Sequence, residues 1–391
     1  MAEKRQPPEK QTSRRTPLPK LQPADEEKTS SNAQMSRYRI FVSYSRDDVE
    51  LVEQIVNVLQ ENGLIPMWDR NFAWGHGFPD QIKNFIAHAH VFMPIITEAS
   101  GKRGWVHQEI GYAMALNIPV LPLTKDTVPD QMLHGLQAIP LNDGLDKLKQ
   151  QISKETFDSL VRRAQKNSRP LFESAEHHEE RTMMIVEYAT NVLELKAHGM
   201  LRQKGALSSM HIPDKPINHP VWKERFGKKQ KSDFHCALQL QERLILERHA
   251  RDAGCKLIIN PYETYRFWGP KARKVRLKTL LTTLDSLQKH AQKQAIPVEV
   301  SIHTGIPTGH NLTIVGDWFA AESVSAELGK GYKQTIFTRH APTVRSRIEA
   351  FDREIAELLD EQRVEGKSSV QVVTEEIEKI LAGIKVPEKM Y

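Results

Sequence analysis

The segment GWVHQEIGYAMAL, residues 104–116, has the length and composition of a buried helix, yet it carries a carboxylate in its middle. Val106, Ile110, Ala113 and Met114 recur at three- and four-residue steps, the spacing of one apolar face. Trp105, Glu109, Tyr112 and Leu116 form an adjoining stripe, which sets Glu109 one turn from an indole and nearly one turn from a phenol. Two readings stay open on these residues alone. Glu109 is either a helix-edge glutamate facing water, where most helical glutamates belong, or an anion kept there for a task. The flanking segments have to decide.

Other chemistry-bearing clusters say less. His177 and His178 with Glu176, Glu179 and Glu180 could suggest a metal, but adjacent histidines point to different faces of a helix, so a solvated charged helix is expected and no metal site is assigned. LGKGYKQT, residues 328–335, lacks the spacing and the following helix of a phosphate-binding loop. VGDWFAAES, residues 315–323, faintly resembles phospholipase D-like folds, but His303 is followed by Thr304 and Gly305 rather than by the His-x-Lys that such chemistry needs. No catalysis is assigned to the carboxyl-terminal half. Cys236 and Cys255 are the only cysteines, too few for a disulfide framework and without paired metal-ligand spacing.

Composition bounds the setting. A chain of 391 residues has room for two domains. No apolar run approaches the ~20 residues that span a bilayer, and no apolar stretch precedes residue 40 as a secretory signal would require. A reduced, cytoplasmic protein without membrane association is expected. The net charge of +6 comes from 55 basic and 49 acidic residues interspersed along the chain, which argues against a nucleic-acid partner.

The elements that must position Glu109 follow from pattern. Residues 1–36, rich in Pro, Lys, Glu, Ser and Gln, are expected to be a disordered arm. YRIFVSYS reads as a strand, Asp47-Asp48 as a helix start, VELVEQIVNVLQENG as a helix stopped by Gly63, and LIPMW as a second strand. A Gly-containing loop through WGHGF, a helix from Pro79 to Ala89, strand VFMPII, the Glu109 helix and strand IPVLPL follow. Strands alternating with helices on short loops argue for a parallel sheet covered on both faces. Residues 145–203 read as a helical linker whose last helix runs through LRQ, and residues 204–232 as a loop. Residues 233–391 read as a second α/β domain: a helix near 234–252, strand KLIIN, a basic helix over 271–294, strands VEVSIH, LTIVGDWF and QTIFT, and a helix from Thr343 to Gln362.

Laid side by side, IFVSYSRDD, GLIPMWDRNFAWGHGF and the Trp105-x-x-x-Glu109 of GWVHQEI resemble the three motifs of the Toll/interleukin-1 receptor (TIR) domain, in their order, over roughly Arg37 to Asn142. The resemblance implies a flavodoxin-like parallel sheet over residues 37–144. Part of that family cleaves NAD+ between nicotinamide and ribose, and the Glu of Trp-x-x-x-Glu is then the catalytic residue, here Glu109. NAD+ would be a substrate, with no separate cofactor. One carboxylate suffices for that reaction, because nicotinamide departs neutral without gaining a proton. A fixed anion near the ribose remains to stabilise charge developing at the anomeric carbon.

The resemblance and the rule that ligands sit outside the carboxyl ends of parallel strands bring forward Tyr44, Ser45, Arg46, Trp68, Asp69 and Trp105 as NAD+-binding candidates. Ser45 stands where several enzymatic members carry Arg. The loop Gly75, His76, Gly77 and Phe78 is expected to border the pocket or a neighbouring copy, which implies self-association through the TIR domain. The carboxyl-terminal domain is expected to sense a ligand or protein partner or to set assembly, as in microbial anti-phage and cell-death systems. The other functions open at this point are a non-enzymatic TIR adaptor and an effector that disturbs a host's TIR signalling.

Overall fold

The computed structural model describes residues 38–68, 78–101, 104–127, 136–142, 144–167, 172–195, 197–205, 207–216, 219, 229–262, 269–303, 305, 310–325 and 332–384. The expected disordered arm, residues 1–36, lies outside them. The first sheet contains β1 (Arg39–Ser43), β2 (Ile65–Met67), β3 (Val91–Ile96), β4 (Leu123–Thr124) and β5 (Ile139–Pro140), all parallel, in the order β2-β1-β3-β4-β5. That order is the flavodoxin-like one. β1 and β3 are buried at every position, as strands covered on both faces must be. Helices α1 (Val49–Glu61), α2 (Phe78–His88), α3 (the single turn Glu98–Gly101) and α4 (Gly104–Ala115) alternate with the strands. The first of them gives way to Gly63, which takes the left-handed φ of +72° that ends it. The expected fourth strand IPVLPL shrinks to Leu123–Thr124 plus a single bridge from Val120 to Phe92, because Pro119 and Pro122 have no N–H to give a ladder.

Strand alternation sorts the module into two cores. Ile40, Val42, Val91, Met93 and Ile95 point to one face, where Val52, Ile55 and Leu59 of α1 meet them. Phe41 and Phe92 point to the other, stacked with ring centroids 5.7 Å apart, and pack with Phe85, Val106 and Ile110 of α2 and α4. Residues 145–203, read from sequence as a linker, divide between the two halves of the molecule. Leu148 of α5 (Asp146–Gln151) and Phe157 and Val161 of α6 (Lys154–Asn167) are buried in the α1 core. β6 (Phe172–Ala175), α7 (His178–Glu194) and β7 (Leu201–Gly205) belong to the second sheet.

That sheet has the order β6-β12-β11-β10-β7-β8-β9. β8 (Cys255–Ile259) and β9 (Val298–Ile302) run parallel to β7, joined through α8 (Lys229–Ala253) and α9 (Pro270–Gln294), whereas β10 (His310–Val315), β11 (Phe319–Ser325) and β12 (Tyr332–Thr338) are antiparallel neighbours. α10 (Ala341–Glu361) covers one face with Val344, Phe351 and Ile355. α11 (Ser369–Gly383), which the pattern reading passed over, opens on a capping box of Ser368 and Gln371.

Two expectations are corrected. The helix extended through LRQ ends at Glu194, and residues 201–205 form the interior strand β7; Gly199 lies so close to Gly316 that a Cβ would come 2.5 Å from its backbone nitrogen, so the chain turns there. LTIVGDWF is two strands, broken by Gly316 at φ +53°. Among the described residues no helix is long and apolar enough to cross a membrane, and no group of three or more His, Cys, Asp or Glu could hold a metal ion. His178 faces Gln239 of α8 at 2.9 Å, and its ring centroid lies 5.1 Å from that of His235 with the rings tilted by 45°, a contact between helices.

Candidate active site

Glu109 lies on the inward side of α4. Val106, Ile110 and Ala113 are in the core, and Glu109 sits among them at 7% exposure; Met114, expected on the same face, is 45% exposed. Tyr112 and Leu116 pack partly buried against the core. The carboxylate meets the carboxyl end of β1, where the Ser43 hydroxyl donates to Glu109 Oε2 at 2.5 Å. Among the described residues no other side chain bonds to this carboxylate and no charged group stands beside it. Burial pushes its pKa up to about 7, while the Ser43 hydrogen bond pulls the other way by favouring the charged form. The site is therefore a desolvated carboxyl poised between its two forms near neutrality, with Oε2 held by Ser43.

Ser43 was not singled out from sequence, although its signal was there. It shares the parity of Phe41, so it must face α2 and α4 rather than α1. Just beyond, three hydroxyl and carboxyl groups tie the loops after β1 and β3 together. Thr97 Oγ1 donates to Asp48 Oδ2 at 2.9 Å, the Thr97 N–H donates to Ser100 Oγ at 2.7 Å, and Ser100 Oγ donates to the Ile95 carbonyl at 2.9 Å. These bonds fix the floor of the carboxyl edge beside α4.

The remaining candidates distribute unevenly. Ser45 is fully buried, with its hydroxyl 3.2 Å from Asp47, and Arg46 is exposed in the 3-10 turn Arg46–Asp48. Both stand at the carboxyl edge. Tyr44 and Trp68 have ring centroids 6.1 Å apart and pack with the α1 core, across the sheet from Glu109, so they are neighbours of each other rather than of the carboxylate. Trp105 and Phe78 are placed as backbone in the first turns of α4 and α2, with their side chains outside the described residues; Asp69, Gly75, His76 and Gly77 lie outside them altogether.

The family model of the TIR domain matches residues 40–156. That span takes in α5 and the start of α6, which agrees with the burial of Leu148 and Ile152 in the α1 core. No curated protein matches the chain.

Proposed function

The chain carries a TIR domain over residues 40–156, and from that premise we propose that it cleaves NAD+ at the bond between nicotinamide and ribose. The observation that carries this reading is Glu109, a carboxylate buried in a TIR helix whose hydrogen-bond partner among the described residues is the Ser43 hydroxyl. A surface glutamate would be exposed; a structural one would be paired with a cation.

The proposed chemistry is short. The C1′–N bond of the nicotinamide ribosyl group breaks with its electron pair going to the ring nitrogen, which removes the positive charge of the pyridinium. Positive charge then builds at C1′ and the ring oxygen, opposite the Glu109 carboxylate in a site of low polarity, where such an interaction is strong. Water adds at C1′ and loses a proton, giving ADP-ribose; attack by the adenine ring instead would give a cyclic product. Ser43 holds Oε2, leaving Oε1 for a ribose hydroxyl. The positive charge of the nicotinamide ring favours the charged form of Glu109, so binding of that ring opposes the effect of burial. Self-association through the TIR domain and a role in microbial immunity or cell death belong to the same proposal.

The test is chromatography of NAD+ after incubation with concentrated full-length protein, separating nicotinamide, ADP-ribose and cyclic products. Nicotinamide released in step with NAD+ loss supports the reading. Unchanged NAD+ at every protein concentration would leave a contact-only adaptor role.

A further inference from the structure

The TIR module and the second module lie within one compact unit and share a core cluster. Among the described residues, no helix or strand of the first packs at length along one of the second. The described contacts across the junction include shared core neighbours, an amide contact from Asn191 Nδ2 to Asn84 Oδ1 at 3.3 Å, and the turn between β10 and β11. It reaches the amino-terminal end of β1, the end of the strand opposite Ser43.

There Arg39, only 6% exposed, gives NH1 to Asp317 Oδ1 at 2.6 Å and Nε to the His88 carbonyl at 2.8 Å, and its guanidinium lies 3.8 Å from the centroid of Trp318. The Arg39 backbone N–H donates to His90 Nδ1 at 2.9 Å, which leaves the His90 proton on Nε2, 3.8 Å from Asp317 Oδ2. Trp318 also lies 5.5 Å from the His88 ring. The turn is fixed to its own module by the backbone contact of Gly316 with Gly199. It is a rigid hook.

The pair is asymmetric. Arg39 is buried in the TIR module, while the Asp317 side chain is 45% exposed and belongs to the other module. Without Asp317, Arg39 keeps one carbonyl and one ring face, which is poor solvation for a buried cation. Separation of the modules is the route by which water reaches it. We propose that the Gly316–Trp318 turn is a clasp that locks the TIR module to the second module, and that opening it frees the TIR module to meet those of other copies. The clasp rests on the NAD+ reading only where activity is the readout.

The experiment uses the full-length chain and three variants, Asp317→Arg, Asp317→Asn and the double variant Arg39→Met with Asp317→Leu, which removes both charges. Small-angle scattering reads the separation of the modules and light scattering reads self-association. Breaking one partner of a buried pair should lower the closed-to-open ratio by about a hundredfold or more. Asp317→Arg is expected to expand and to self-associate with rising concentration. Asp317→Asn should do so more weakly, and the charge-free double variant should stay closed like the wild type. If Asp317→Arg does not fold, Asp317→Asn decides. Scattering curves of the single variants identical to wild type would overturn the clasp, as would an expanded double variant. NAD+ loss is followed in the same samples and is expected to rise per molecule in the expanded variants. If no sample consumes NAD+ at any concentration, the enzymatic reading fails and the scattering still decides the clasp.

Discussion

Replacing Glu109 by Gln should make the protein more stable at alkaline pH, and the size of the gain follows from its burial. In the folded chain the carboxyl is pushed up from 4.5 to about 7. Between those values the folded state keeps a proton that the unfolded chain has released. The contribution of this group is therefore most favourable below pH 4.5 and is lost as pH rises through about 7. At ~1.4 kcal/mol per pH unit, the charged form costs ~3 kcal/mol at pH 8 and under ~1 kcal/mol at pH 5. Gln keeps the shape and an oxygen that can accept from Ser43, but never ionises. In denaturant unfolding, the stability of Glu109→Gln minus that of wild type should thus grow by ~2.5 kcal/mol from pH 5 to pH 8. A difference that stays constant over this range, or shrinks, would show that Glu109 is hydrated in the folded chain and would remove the physical basis for its proposed role.

Ser43→Ala removes the bond that favours the carboxylate, so the rise of NAD+ cleavage with pH should move to alkaline values by about one pH unit, and Ser43→Thr should restore it; an unmoved pH profile would mean that the bond does not bear on the ionisation. His88 and His90 are buried and neutral, lowered by desolvation and by neighbouring arginines to about 3. Their folded values lie below the unfolded 6.5, so stability is full above pH 6.5 and is lost as pH falls. In the Glu109→Gln chain, where the opposing carboxyl is gone, each should cost ~1.5 kcal/mol between pH 6.5 and 5, and a melting temperature flat over that interval would count against this. Phe157, fully buried among TIR residues, should cost ~3–5 kcal/mol on truncation to Ala; a loss under ~1 kcal/mol would return α6 to the role of a spacer.

The Glu109 side of the first sheet is legible because its signals are local. β1 and β3 are continuous apolar runs, α1 is stopped by Gly63, and the placing of α4 needs only its periodicity. Even Ser43 follows from counting alternate residues along β1. What escaped depends on partners far away in the chain. Arg39 reads as the polar first residue of a strand, and its partner Asp317 lies 278 positions on. β7 was absorbed into a helix because LRQKG has no strand-like composition; its place is set by pairing with β8 and β10 on either side. Tyr44 follows β1 at its carboxyl end, and alternation sends its ring to the α1 face, beside Trp68.

The central claim, that Glu109 performs the proposed NAD+ cleavage, is tested most directly by nicotinamide release from wild type and folded Glu109→Gln, compared at pH 8, where the carboxyl is charged, and at equal protein concentration. The variant removes one electrostatic contact made with developing charge, so its rate should fall by at least ~100-fold while its unfolding transition stays cooperative. A folded Glu109→Gln protein that releases nicotinamide at the wild-type rate would contradict the account.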